Sequence, residues 1–326
     1  MKIIWYQQSG KNTYDITQFV STINWSGSAS QASRQLSITV LYSPLDNNLK
    51  DINIEIGDRI KLYYDDNSLL IDAMVYTRER VSQQGTISYS CYDDLNLLIK
   101  SSASYNFKNT TPEKITETVC NDLKISYGNL SPTNVHISKL LVEGESIYNI
   151  IMKAYTKAYQ ANSKKYMPLM AGRKLHIIEK GTIIEDFYLH EDYNITSVNY
   201  SESLDGMINK VKIYSESGAQ IDEVKNDNWT DKYGIFQAIL QKEEGINPVL
   251  AAKAMLQGIN QEASVEAIGD IRCISGFGVK IKDSITKLSG KFWIESDSHS
   301  WQNGVHTMNL DLAFKNLMDV QEVENE

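Results

Sequence analysis

The stretch Gly276–Leu312, GFGVKIKDSITKLSGKFWIESDSHSWQNGVHTMNLDL, reads as three strands joined by two turns, and an earlier part of the chain repeats it. At a spacing of 219 residues Gly57 falls on Gly276, Ile60-Lys61-Leu62 on Val279-Lys280-Ile281, Leu69 on Leu288, Gly85 on Gly304 and Leu98 on Leu317. The matches lie at strand cores, turn glycines and closing hydrophobes. A second block runs at a spacing of 175: Thr22-Ile23-Asn24-Trp25-Ser26 meets Ser197-Val198-Asn199-Tyr200-Ser201, and Leu36 and Ile38 meet Val211 and Ile213. The difference between the two spacings assigns the later copy about 44 extra residues between its blocks. Self-similarity of this kind marks a duplicated structural unit.

Outward from these blocks the chain changes character. Residues Ile3 to about Leu45 read as strands; Gln35 to Val40 alternates polar and apolar with period two, as a half-buried strand does. Ser26–Ser33 is small and polar and reads as a loop, or as a segment ordered by a partner. Alternation resumes at Ile60 and Leu62, turns at Asp65-Asp66-Asn67, returns through Ile71, Ala73 and Val75, turns at Gln83-Gln84-Gly85 and ends on Ile87, Tyr89 and Cys91. Short strands with frequent turns argue a small barrel or sandwich.

Helical signals follow. Thr111-Pro112-Glu113 supplies an N-cap, a first-turn proline and an acid at the positive end of the helix dipole, ahead of Ile115, Val119 and Leu123. Ser146 caps a second helix, whose stripe is Ile147, Ile150, Ile151, Ala154, Tyr155 and Ala158. Leu169–Ile178 and Thr182–Leu189 are expected to form a hairpin about Lys180-Gly181, and Asn247-Pro248 opens a further helix. The expected fold is β-rich α+β. A first β-barrel domain (1–100) and a second one with an internal helical insertion (196–318) flank an α+β insertion domain (101–195), and an acidic tail (319–326) closes the chain.

Composition narrows the function. The 326 residues carry a formal charge of −9 and no basic cluster, which argues against sequence-specific nucleic-acid binding. No apolar run approaches the ~18 residues of a membrane span, and the opening MKIIWYQQSG lacks the pattern of a secretory signal, so neither stable membrane insertion nor export is expected. Cys91, Cys120 and Cys273 are odd in number and far apart, and read as buried thiols.

Catalytic patterns are missing from the sequence: no nucleophile elbow, zinc helix, phosphate loop or dinucleotide fingerprint occurs. Asp65-Asp66, Asp93-Asp94 and the acids between Asp222 and Asp231 are expected in solvated turns. Asn303-Gly304 forms a type I′ hairpin turn, which pairs Trp301 with His306 and His299 with Met308. His299 and His306 then share a face as diagonal neighbours roughly 7 Å apart, with Asp297 beside them. Because Trp301, Met308, Leu310 and Leu312 share that face, the histidines are expected to be packed rather than metal-bound, and no catalytic residue, metal or cofactor is assigned. The assigned positions are structural: Gly57, Gly85, Gly276, Asn303 and Gly304 as turn and repeat residues.

Two related β units, an insertion between them, the Thr111-Pro112-Glu113 helix start and the closing Trp301–Met308 stretch resemble the baseplate hub proteins of contractile phage tails. The type is that of defective prophages and phage-tail-like bacteriocins of Gram-positive bacteria. The hub of T-even phages and the base of type VI secretion spikes are more distant likenesses. The resemblance covers essentially the whole chain. It implies a non-enzymatic homotrimer whose two barrels per chain form a six-fold-like ring, with the hexameric tail tube on one side and the trimeric spike on the other. Tape-measure and other baseplate proteins are further partners it implies. It also implies synthesis in the bacterial cytoplasm and assembly into a tail. An acidic inner wall would let DNA pass such a ring without sticking. A tail-associated cell-wall hydrolase or a monomeric carbohydrate-binding β-module are the alternative readings.

Overall fold

A computed structural model describes residues 1–29, 33–43, 52–81, 85–243 and 247–323. Ser30–Ala32 of the expected loop, Gln83-Gln84 of the expected turn and the end of the acidic tail lie outside the described residues. The chain divides into two compact units, Met1–Val198 with Ser264–Glu326, and Asn199–Ala263.

The first copy consists of β1 (Lys2–Gln7), β2 (Asn12–Asp15), β3 (Val20–Ser28), β4 (Gln35–Leu41), β5 (Arg59–Tyr63), β6 (Leu69–Arg80) and β7 (Thr86–Tyr92). Then come α1 (Leu95–Lys100), β8 (Ser102–Thr110), α2 (Pro112–Asp122), β9 (Ser126–Leu130), β10 (Ile137–Ser146), α3 (Ile147–Asn162), β11 (Tyr166–Ala171) and β12 (Lys174–Glu179). The second copy brings β13 (Ile183–His190) and β14 (Ile195–Ser203), is interrupted, and resumes with β18 (Asn260–Ile268), β19 (Gly278–Lys282), β20 (Ser289–Gln302) and β21 (Val305–Ala313). The interruption holds β15 (Lys210–Tyr214), β16 (Gln220–Lys225), α4 (Asp227–Tyr233), β17 (Gln237–Gln241) and α5 (Pro248–Met255).

Both copies have the same strand order. The first runs β1-β5-β6-β7-β4-β3 and the second β13-β19-β20-β21-β18-β14, within one 13-stranded sheet. The spacing of 219 carries β5 onto β19 and preserves their register with the next strand: Ile60 faces Ala73 as Val279 faces Phe292. It also carries the bulge between Val75 and Thr77 onto the one between Ile294 and Ser296. Ile60, Leu62 and Val75 are buried, as are Val279, Ile281 and Ile294. Burying each such side chain contributes roughly 1.5–3 kcal/mol.

Four sequence expectations need correction. In the last strand the spacing is 221 rather than 219, since Ile87 faces Arg80 where Met308 faces His299; the longer Asn303-Gly304 hairpin adds the difference, and Leu317, paired by sequence with buried Leu98, is exposed. The counterpart of β4 is β18, with Ala263, Val265 and Ala267 buried in alternation; Val211 and Ile213 lie on β15, in a separate β16-β15-β17 sheet covered by α5. β12 pairs with β11 about Gly172, whereas β13 pairs in parallel with β19, so Lys180-Gly181 is a crossing point and not a hairpin. Finally, Ser26–Ser28 is strand, hydrogen-bonded to β4 and β20. The fold is largely β-sheet with few helices, and among the described strands no pairing closes either copy into a barrel.

The helix starts form as their caps dictate. Thr111 Oγ1 accepts from Lys114 N and Ser146 Oγ from Asn149 N at 3.1 Å, and Asn247 caps α5. Ile115, Val119, Ile150, Ile151 and Tyr155 form one core with Leu175 and Ile177 of β12. After β21 the chain returns over α3: Met318 is buried there, and Tyr148 Oη donates to Asp319 at 2.8 Å.

Gly57 and Gly276 hold the same left-handed backbone, φ +92° and +91°, but a side chain at 57 would meet open space and one at 276 the Met167 sulfur. Gly57→Ala is therefore expected to cost about 1–3 kcal/mol of backbone strain. Gly276→Ala should cost more, as a larger drop in urea midpoint measured on the two variants.

Candidate functional site

The 14-residue strand β20 joins the two copies. Its first half pairs with β19, its opposite edge pairs with β21, and its second half pairs with β3 of the first copy. The bulge at Ile294/Ser296 separates the two halves and redirects the strand. Along this seam Ser298 faces Ser26, His299 faces Trp25 and Trp301 faces Ile23.

A buried ion pair locks the seam. Arg34 Nη1 and Nη2 donate to Asp297 Oδ1 and Oδ2 at 2.9 and 2.5 Å, and both side chains are almost fully buried. Asp297 Oδ1 also accepts from Ser275 N at 2.6 Å, and the Arg34 guanidinium lies 4.1 Å over the Trp25 ring. Gly27 makes this path possible, because a Cβ there would stand 2.4 Å from Arg34 Nη1. A paired, hydrogen-bonded and stacked charge is one of the few forms in which a cation can be buried.

The two histidines complete the joint. His299 Nε2 contacts the Cys273 carbonyl at 3.0 Å, so this nitrogen must carry the proton. His299 Nδ1 is then an acceptor, and His306 Nε2–H donates to it at 3.1 Å. Their rings are 5.3 Å apart, and His306 stacks on Trp301 at 4.2 Å. Burial holds His299 below the usual histidine range; burial first and the His299 ring second hold His306 down at about 4. Among the described residues no cluster of three or more His, Cys, Asp or Glu side chains could hold a metal. The ion pair, the two histidines and Trp25 and Trp301 thus pack against one another along the seam.

The other residues singled out by sequence do not converge on it. Asn303 and Gly304, at φ +53° and +78°, form the β20–β21 turn, and Gly85, at +61°, stands just before β7. Asp66 accepts from Ser68 N in its turn, as expected. Asp93 and Asp94 are not solvated but buried. Asp93 accepts from Ser33 Oγ, Arg34 N and Leu95 N, and burial pushes it up to about 6. Asp94 receives Arg59 Nη1 and Arg173 Nε, each at 2.9 Å, and so ties β5 to the β11–β12 turn. Asp222 lies on β16, and Asp227 and Asp231 on α4, so no acidic loop exists there. Arg34, the residue on which the seam depends, escapes sequence reasoning; its one sequence signal is a lone arginine beside a polar, glycine-containing strand. The three cysteines are free and buried, and no described helix is long and apolar enough to cross a membrane.

The fold is similar to that of prophage tail proteins of known structure. The 43 kDa tail protein of prophage MuSo2 from Shewanella oneidensis superposes with a TM-score of 0.73 over 96% of each chain at 16% identity. The chain belongs to the YQBQ-like family, whose profile matches residues 23–313. Among its relatives in Bacillus subtilis strain 168, the phage-like element PBSX protein XkdQ is 23% identical over 94% of this chain and 96% of its own. The uncharacterized protein YqbQ is 24% identical over 76% and 78%. The likeness to tail and baseplate hub proteins read from the sequence therefore stands.

Removing one partner of a buried ion pair strands the other. Arg34→Met or Asp297→Leu should each destabilise by about 3–5 kcal/mol, whereas the double variant should recover most of the loss; urea denaturation of the three proteins measures this. The histidines add a pH dependence. Both are neutral when folded but titrate near 6.5 when unfolded, so the unfolded state binds more protons between pH 6.5 and about 4, and stability falls on acidification. Asp93 acts in the opposite sense in that window, because its raised value lets the folded state take the proton first. The comparison is therefore with His306→Gln, which keeps a donor for His299: wild type should lose more stability than the variant between pH 7 and pH 4.5.

Proposed function

We propose that the chain is the structural hub of a contractile tail baseplate, three copies forming a ring between the hexameric tail tube and the trimeric spike. The carrying observation is the duplication, two units of one strand order in one chain. Three chains of two units each present six near-equivalent units, so one ring serves a six-fold partner on one side and a three-fold partner on the other. Each unit acts as one tube-type wall segment of that ring, the first spanning 1–100 and the second 196–318 together with β13, which pairs with β19; the rest of 101–195 is the insertion and 319–326 the tail. The bulge and register common to both copies support that equivalence. The parallel β13–β19 pairing, where β1–β5 is antiparallel, limits it to part of the ring.

The role is mechanical rather than catalytic, which agrees with a seam of buried paired charges and stacked rings. Spike, tube, tape-measure and other baseplate proteins are the partners, in a phage or a bacteriocin particle assembled from protein made in the cytoplasm. The relative from the phage-like element PBSX and the prophage tail protein of similar fold support this reading.

Light scattering tests it. The expected species contains three 36.9 kDa chains, either alone or with the added mass of the tube or spike protein of the same tail. A persistent monomer under all these conditions would contradict the hub and favour a carbohydrate-binding module.

A further inference from the structure

The seam inside the chain has an unfilled twin. It joins β3 of the first copy to the second half of β20. The spacing of 175 carries the bounds of β3 onto those of β14, Val20–Ser28 onto Ile195–Ser203, and the spacing of 219 carries Ser296–His299 of β20 onto Thr77–Arg80 of β6. Among the described strands both counterparts are open edges. β14 ends the strand order with β18 as its one neighbour, and beyond its bulge β6 pairs with β7 alone among the described strands. Thr77, Arg78, Glu79 and Arg80 are all exposed. An open edge presents unpaired N–H and C=O groups to another chain, and the charges of Arg78, Glu79 and Arg80 restrict that pairing to an edge of complementary charge.

Transferring the seam's register to these edges opposes Thr77 to Ser203, Arg78 to Glu202, Glu79 to Ser201 and Arg80 to Tyr200. The pairing exchanges existing contacts for stronger ones: within the chain Arg80 lies 5.3 Å over the Tyr42 ring and Arg78 Nη1 donates to the Ile54 carbonyl at 3.1 Å. In the existing seam Asp297 faces Gly27 and takes the guanidinium of Arg34, which crosses that glycine from the start of β4; in the transferred one Glu202 stands at the Gly27 position and itself faces Arg78, so opposite charges meet directly across the seam. Arg80 would face the Tyr200 ring where His299 faces Trp25. Arg78 and Arg80 share the neutral Asn53 Oδ1, at 3.2 and 3.3 Å, and have no carboxylate partner among the described residues. Glu202 is poised beside the ring, accepting from Tyr200 Oη at 2.5 Å and from Gln261 Nε2 at 3.2 Å.

We infer that β14 of one copy adds antiparallel to the Thr77–Arg80 edge of β6 in a second copy, with Arg78 paired to Glu202 and Arg80 on Tyr200. The contact is head-to-tail, so each copy keeps one free edge of each kind until a ring closes. That the closed ring holds three copies rests on the function proposed above; the strand pairing itself does not.

Cysteine cross-linking and charge reversal test it. The Ala29 N to Glu295 O bond sets the alternation of the existing seam and makes Ser26–Ser298 a non-hydrogen-bonded pair, the closely spaced kind. The counterpart of that pair is Ser201–Glu79. The double variant Glu79→Cys/Ser201→Cys should, on mild oxidation, give covalent dimers and higher species on non-reducing gels, while each single variant gives at most a dimer. Arg78→Glu and Glu202→Arg should each weaken self-association about tenfold or more, and together restore it. All these positions are exposed, so thermal unfolding at dilutions where the chain is monomeric should stay unchanged. A wild-type trimer whose double-cysteine variant gives nothing beyond the single variants, and whose charge reversals leave its mass unaltered, would overturn the edge pairing and leave the hub reading in place. A wild type that never self-associates would overturn both.

Discussion

The structure depends on one interstrand contact, the pairing of β3 with the far half of β20. Among the described strands every other pairing of the large sheet lies within a copy; this one joins the copies. It is secured by a bidentate Arg34–Asp297 pair with almost no exposure, roofed by Trp25. Such a pair adds little net stability over a well-packed apolar one, yet it fixes register strictly, because a slip of one residue would bury two unmatched charges. A sheet that must join two similar units in one alignment gains from that penalty. The His299–His306 hydrogen bond and the stacked tryptophan carry the same logic to the end of the strand.

The bulge at Ile294/Ser296 gives the seam its geometry. β20 pairs with β19 in its first half and with β3 in its second along the same edge, and the extra residue bends it between the two partners. β6 bulges at the corresponding place, though its far half meets no described strand there. The duplicated unit thus carries the bend needed for a joint at both of its occurrences, and one of the two joints is made inside the chain.

Much of this is legible in the sequence, for physical reasons. Alternation of period two locates β4, β5 and β7, because each buries one face; Thr111-Pro112 and Ser146 locate helix starts, because capping is local chemistry. The Asn303-Gly304 turn pairs His299 with Met308 through its turn type alone, since two-residue hairpin loops fix the register of their strands. What the sequence hides is non-local. Val211 and Ile213 have the apolar pattern of β4 but belong to the interrupting sheet, since nothing in a short pattern says which neighbour a strand will find. Asp93-Asp94 resembles a solvated turn because the partners of Asp94, Arg59 and Arg173, lie 35 and 79 residues away. The Ser26–Ser28 strand looks like a loop because its side chains are small, and the glycine at its centre is what lets Arg34 cross it.

The central claim is that two like units per chain let three chains mediate between six-fold and three-fold partners. Averaged electron micrographs of isolated tails carrying a tag on this chain test it most directly. The account predicts density for three copies in a six-lobed ring at the junction of tube and spike. Label along the tail shaft, at the fibres, or at a single off-axis position would contradict it.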